Sequence, residues 1–281
     1  MRQIIDPIPQ WYSVPLPKLA PSATRPSAGL LSTLQTQSVT LLARENSLYA
    51  ASLAPRAPAS APPAPNGLSK ADQVFIQQIL TSGTSSDKLS ALLLLVSSSP
   101  LHTMAYLDQI VAICKKKSRE ESGRAIRGVV EWWRGGGGDG GGSPSRKLRA
   151  FADQPGLESL SKSWSALEAF GKGREKKVSE SELSKEECER CLVIWAFEDW
   201  LKKWFFEVLK CVEVSFRFHP AGSLLTICHS KCQLILSHIL ELSPSCICRI
   251  CFETSRNKKE TSFVFSSTSW FVIRIFRTTQ H

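Results

Sequence analysis

The chain has 281 residues, with 35 Lys and Arg against 25 Asp and Glu, a net charge of +10, 42% hydrophobic residues and nine cysteines. It carries no apolar run of signal-peptide or membrane-spanning character, which excludes an integral membrane protein and makes reduced thiols in a nuclear or cytosolic setting the expectation. The cationic surplus suits a partner bearing phosphates without identifying one.

Proline and charge divide the chain into three. Eleven of the 16 prolines fall in residues 1–69, a Pro/Ala/Ser-rich stretch that reads as a disordered arm with room for one helix over 34–51. The same stretch is Ser-rich and poor in acids, with Arg2, Arg25, Arg44 and Arg56, so an organellar transit peptide is a competing reading. Residues 70–214 hold prolines only at Pro100, Pro144 and Pro155, each at a proposed boundary, and read as helical. Residues 215–281 form an irregular, cysteine-rich tail.

Within the middle segment, Ser86 is a plausible N-cap and Leu89, Leu92, Leu93 and Val96 recur at helical spacing before the break at Ser97-Ser98-Ser99-Pro100. A second helix places Met104, Leu107, Val111 and Cys114 on one stripe and ends in Lys115, Lys116 and Lys117, cations suited to a helix C-terminus. A third is predicted from Ser118, with Glu121 completing a capping box and Ala125, Ile126, Val129, Val130 and Trp133 on its apolar side. Helices this short bury such stripes only against neighbours, so the fold expected is all-α, a helical-repeat stack of the HEAT or armadillo type.

A glycine tract opens the linker over 135–145. It lacks the Gly-Lys-Ser/Thr ending and preceding strand of a phosphate cradle, as does Gly171-Lys172-Gly173-Arg174. A helix through Lys147, Leu148, Phe151 and Ala152, closed by Pro155, is predicted next, then one carrying Leu157, Leu160, Trp164, Leu167 and Phe170, then a polar linker over 171–184. Ser184 and Glu187 form a capping box for the last helix, where Ile194, Phe197, Leu201, Phe205, Val208 and Val212 make a continuous stripe. Trp195, Trp200, Trp204 and Phe206 lie off that stripe and are the predicted partner-binding residues.

The tail breaks this pattern. Phe263-Val264-Phe265 and the run 270–276 are β-prone, and Cys228, His229, Cys232, Cys246, Cys248 and Cys251 have zinc-ligand chemistry without paired CxxC knuckles. Inert thiols are the favoured reading, and Cys114 and Cys211 fall near apolar faces as core residues. Read-through or a shifted frame and a lineage-specific extension are both open as origins of the tail. Cys188-x-x-Cys191 sits on a helix, Ser159-x-x-Lys162 lacks companion motifs, and His102 reads as a surface or packing residue. No catalytic set, metal site or cofactor site is expected, and the chain reads as non-enzymatic.

The basic clusters are the functional candidates. Lys115, Lys116, Lys117 and Arg119 lie at one interhelical turn, and Arg146, Lys147 and Arg149 start a later helix. Turns on one edge of a helical stack would meet RNA phosphates, and the competing reading is solvated helix ends.

Three blocks in order, SGTSSDKLSALLLLVSSSPLHTMAYLDQIVAICKKKS, SRKLRAFADQP and WAFEDWLKKWFFEVLKCVE, resemble the CCAAT/enhancer-binding protein zeta family of nucleolar complex proteins, with Trp11-Tyr12 as a further match. The resemblance covers about 70–214, is interrupted by the glycine tract and stops after Val214. It implies a nuclear, nucleolar α-helical repeat scaffold in assembly of the large (60S) ribosomal subunit. Its implied partners are pre-ribosomal RNA, pre-60S particles and another nucleolar complex protein, with no membrane and no small-molecule substrate. The alternative it implies is a DNA-binding regulator at CCAAT elements. The family's long downstream helical region is absent, so Trp200, Trp204 and Phe206 are expected to face water or a makeshift cover from the tail, and the chain is expected to aggregate or to bind chaperones.

Overall fold

The computed structural model describes residues 3–7, 10–19, 25–53, 69–135, 137, 148–171 and 183–218, all of them within the unit Met1–Pro220. Among these residues every regular element is helical: α1 (Ala28–Ser52), α2 (Lys70–Ser82), α3 (Ser85–Ser98), α4 (Met104–Cys114), α5 (Arg119–Arg134), α6 (Leu157–Gly171) and α7 (Lys185–Phe218), with 3-10 turns at Trp11–Ser13, Pro100–His102 and Phe151–Asp153. Helix α7 continues through 215–218, the first residues of the expected irregular tail; the tail from 219 on, with its β-prone runs and six candidate metal ligands, residues 54–68, and most of the linkers over 135–145 and 171–184 lie outside the described residues.

Local capping sets where the helices start. Ser69 and Asp72 form a reciprocal capping box at α2. At α3 the cap is Thr84, not Ser86: Thr84 Oγ1 accepts from the Asp87 N–H at 3.2 Å and the Asp87 carboxylate accepts from the Thr84 N–H at 3.3 Å. Thr84 stands three residues before an acid, the spacing that closes both bonds, whereas Ser86 falls inside the first turn. Ser118 precedes α5 without a side-chain cap bond, because Glu121 turns away to Lys116 at 3.0 Å. The box expected at α7 is present, with the Glu187 N–H donating to Ser184 Oγ at 3.2 Å.

Helices α2 to α5 pack as successive neighbours, α3 meeting α2, α4 and α5. Their core is Leu89, Leu92, Leu95, Val96, Leu107, Ile110, Ala125, Ile126 and Val129, all buried. Gly128 of α5 lets α3 approach, since a Cβ there would lie 2.7 Å from Leu93 Cδ1.

Helix α7 is the axis of the unit, packed along α1 and also against α4, α5 and α6. Its predicted stripe, Ile194, Phe197, Leu201, Phe205, Val208 and Val212, is buried throughout. The expectation that its off-stripe aromatics face water is corrected. Trp195 is buried with its ring 6.4 Å from Phe151, and Trp204 is buried edge-on to Trp132 at 6.1 Å, while Trp200 and Phe206 are half-buried. The cover comes from the same chain, because α7 has neighbours on several sides.

Part of that cover comes from α1 and the described residues before it, where the reading of 1–69 as a mostly disordered arm with room for one helix over 34–51 gives way to a longer helix. Prolines outweighed a proline-free stretch over 27–53 in which Leu34, Ser38, Leu41, Leu42, Glu45 and Tyr49 recur at three- and four-residue spacing and are buried. The residues before α1 form a strap. The Glu45 carboxylate accepts from the Ile4 and Ile5 N–H groups at 2.9 and 3.4 Å, the Gln10 amide donates to the Ser97 and Ser98 carbonyls, and Trp11 packs on Phe197 at 5.1 Å. The strap reaches Leu19 beside Gly156, whose φ of 88° and a would-be Cβ 2.4 Å from Leu19 Cβ both require glycine.

The helix expected through Leu148 and Ala152 is one 3-10 turn. Ala150 is extended, and the Phe151 N–H is drawn to Asp199 Oδ1 at 3.3 Å. His102 is a buried packing residue, its Nδ1 2.7 Å from Ser99 Oγ and its ring stacked 5.0 Å from Tyr49.

Candidate nucleic-acid interface

The α4–α5 turn gathers the first basic cluster where α4 leaves its terminal carbonyls. Lys115 follows α4 directly, and its backbone N–H bonds the Val111 carbonyl. Its side chain does not extend freely: Lys115 Nζ lies 2.9 Å from Glu207 of α7, whose other oxygen takes Lys210 at 2.6 Å. These bonds hold the Glu207 carboxyl below the usual carboxylate range and raise Lys115. Lys116 is held by Glu121 at 3.0 Å. Lys117 and Arg119 are exposed and make no ion pair among the described residues. Two of the four cations are thus free and two are engaged, though an exposed pair contributes little energy and exchanges readily.

Of the second cluster only Arg149 can be compared with the first. Arg146 and Lys147 lie outside the described residues. Arg149 is exposed near Leu19, Gln154, Cys191 and Trp195, whereas Lys115 meets Glu207. Sixteen residues of α7 separate those two levels, about 24 Å of helix rise.

Beside the first cluster, α4 and α7 enclose a groove of about 390 Å³ lined by Asp108, Val111, Ala112, Lys115, Trp200, Lys203, Trp204 and Glu207. Trp200 runs nearly parallel to Phe197 and Trp204, with centroids 6.0 and 6.4 Å away. Lys203 is tied to Asp199 at 2.6 Å, and burial raises the Asp108 carboxyl above its ordinary value. Asp108, Lys203 and Glu207 were not singled out from sequence. The three-residue step from Trp200 to Lys203 is a local signal for a shared face; the pairing of Lys115 with Glu207, 92 residues apart, has none.

The remaining candidates carry structure. Cys114, Cys188, Cys191 and Cys211 are buried and in no disulfide, and burial pushes Cys114 up to about 12 and Cys188 up to about 11. Lys162 is bound to Glu158 at 2.9 Å. Among the described residues no group of three or more His, Cys, Asp or Glu could hold a metal, and no helix is long and apolar enough to cross a membrane.

No protein-family model matches the chain. It is 30% identical over 216 residues to the ribosome biogenesis protein NOC1 of Chaetomium thermophilum, covering 75% of this chain and 18% of that protein. It is 29% identical over 210 residues to an uncharacterized protein of Schizosaccharomyces pombe, covering 75% and 19%. Human CCAAT/enhancer-binding protein zeta is 26% identical over 149 residues, covering 53% and 12%. The chain spans less than a fifth of the length of each of these relatives.

Proposed function

The chain is a partial member of the family that includes NOC1 and CCAAT/enhancer-binding protein zeta, and from that premise we propose that it serves ribosome biogenesis. In this reading it is a non-enzymatic helical scaffold for assembly of the large (60S) subunit in the nucleolus, holding pre-ribosomal RNA and a second nucleolar complex protein. The observation that carries it is the similarity to NOC1 over three quarters of the chain. The RNA part draws support from Lys117 and Arg119, exposed at the α4–α5 turn. Phosphate contacts from such side chains would be independent of sequence and sensitive to salt.

Gradient sedimentation of the tagged full chain from a nuclear extract tests the proposal. Co-migration with large pre-ribosomal particles, lost on ribonuclease treatment, is the expected result; a chain that stays at the top of the gradient overturns it. The second reading, a CCAAT-element DNA binder, rests on the names of the human and mouse relatives. Protection of CCAAT elements in a footprint, without particle association, is the outcome that favours it.

A further inference from the structure

The groove between α4 and α7 combines features that a simple basic turn lacks. Its floor is aromatic: Trp204 is buried, and Trp200 beside it is half-buried and lines the opening. Two ammonium groups stand at its edge, Lys115 from α4 and Lys203 from α7. Lys117 and Arg119, free of ion pairs among the described residues, follow Lys115 within one turn of chain. A ring flanked by cations matches an unstacked base joined to its phosphates, whereas a duplex keeps its bases stacked inside and offers only its backbone and groove edges. The volume, about 390 Å³, is that of a small-ligand cleft and too small for a helix to lie in.

We infer that this groove is a single-strand site, in which one nucleobase stacks on Trp200 while Lys115 and Lys203 engage the adjoining phosphates. The inference rests on the RNA-binding part of the proposed function and deepens it, since it assigns the site a preference for unpaired RNA. Asp108, on the α4 wall, offers a carboxyl to the amino edge of a base and not to a phosphate. Glu207 acts as a gate on affinity: it occupies Lys115 in the free protein, and Lys115 must leave it to meet phosphate, as Lys203 must leave Asp199. Removing that carboxylate therefore strengthens binding, an outcome that a purely structural ion pair does not produce.

The test uses the full chain with a single-stranded RNA of about ten nucleotides and the duplex of the same sequence. Tighter binding of the single strand is expected. Trp200→Leu, which keeps apolar cover but removes the ring, should weaken single-strand binding by about 5- to 150-fold and leave the salt dependence unchanged. Glu207→Gln should tighten it and steepen the salt dependence by about one phosphate contact. Should Trp200→Leu unfold the protein, photo-crosslinking of the wild-type chain to the same RNA carrying 4-thiouridine supplies the readout, with the crosslink expected on Trp200. Equal binding of single strand and duplex, or a crosslink confined to peptides outside α7, overturns the inference while leaving RNA binding in place. So does a Trp200→Leu chain that binds RNA normally but loses a partner protein, which assigns the groove to protein docking. A wild-type chain that binds neither RNA form overturns the RNA reading itself.

Discussion

Lys115, Lys116 and Lys117 are adjacent in sequence and alike in chemistry, yet only Lys117 is free of an acidic partner among the described residues. Lys117→Gln alone should therefore lower the salt slope of RNA binding by about one, and adding Lys115→Gln and Lys116→Gln should lower it by less per residue, because those two must first release Glu207 and Glu121. An unchanged slope in the triple variant would leave all three as solvated helix ends. His102 makes a second prediction at this scale. Burial holds its folded pKa down to about 4 against an ordinary value near 6.5. The unfolded chain then binds the proton first, so stability is full above about 6.5 and is lost as pH falls towards 4. Glu45 has the opposite sign, because burial raises its carboxyl, and stability from that group increases as pH falls through its own range. Denaturant titrations at pH 7 and pH 5 should show a loss at the lower pH that His102→Leu flattens and Glu45→Gln deepens. A loss unaltered by His102→Leu would assign it to other groups.

Helices whose apolar spacing is regular were legible as elements, and those set by distant partners were not. The Leu89–Val96 run, the Leu107–Cys114 stripe and the long stripe from Ile194 to Val212 each became a helix burying those residues in the main, because the period of the pattern and the period of the backbone agree. Residues 148–153 failed as a helix because Asp199, on α7, takes the Phe151 N–H, a contact 48 residues away that no local window contains. Helix α1 was nearly hidden by the prolines around it, though its spacing is as regular as that of α3. For the candidate site, Lys115 and Trp200 were visible as residue types, whereas Lys203 was not, and their meeting required α4 to lie on α7. Gly156 offers a test at this scale: Gly156→Ala should destabilise the chain by about 1–3 kcal/mol, since alanine resists the positive φ and its methyl meets Leu19. Protease sensitivity over 10–19 should rise with it; an unaltered cleavage pattern would show that Leu19 is not what anchors the strap.

At the level of the whole molecule, the large exposed apolar side chains among the described residues are Val39, Val74, Phe75 and Leu94, on α1, α2 and α3. Phe75 on α2 and Leu94 on α3 are 62% and 56% exposed, and Val74 is exposed beside Phe75, while Trp204 is covered. Helix α2 meets α3 but has no comparable neighbour on its other sides among the described residues. Any binding of a hydrophobic dye by the chain should therefore fall on replacing Phe75 and Leu94 with Lys, and should be insensitive to Trp200→Leu. The reverse pattern would restore α7 as the open face.

The pairing of α1 with α7 also governs the order of folding. These helices are separated by residues 53–184, a long loop to close, whereas α2 to α5 meet their successive neighbours within a few residues of turn. During synthesis α1 emerges before α7, and the part of its apolar face that α7 covers stays open until α7 has cleared the exit tunnel. Pulsed hydrogen exchange on refolding should then protect the amides of α3 to α5 before those of α1 and α7, and simultaneous protection would mean that the axis forms with the first collapse. Over that interval α1 presents a nascent apolar helix to whatever factors bind such segments.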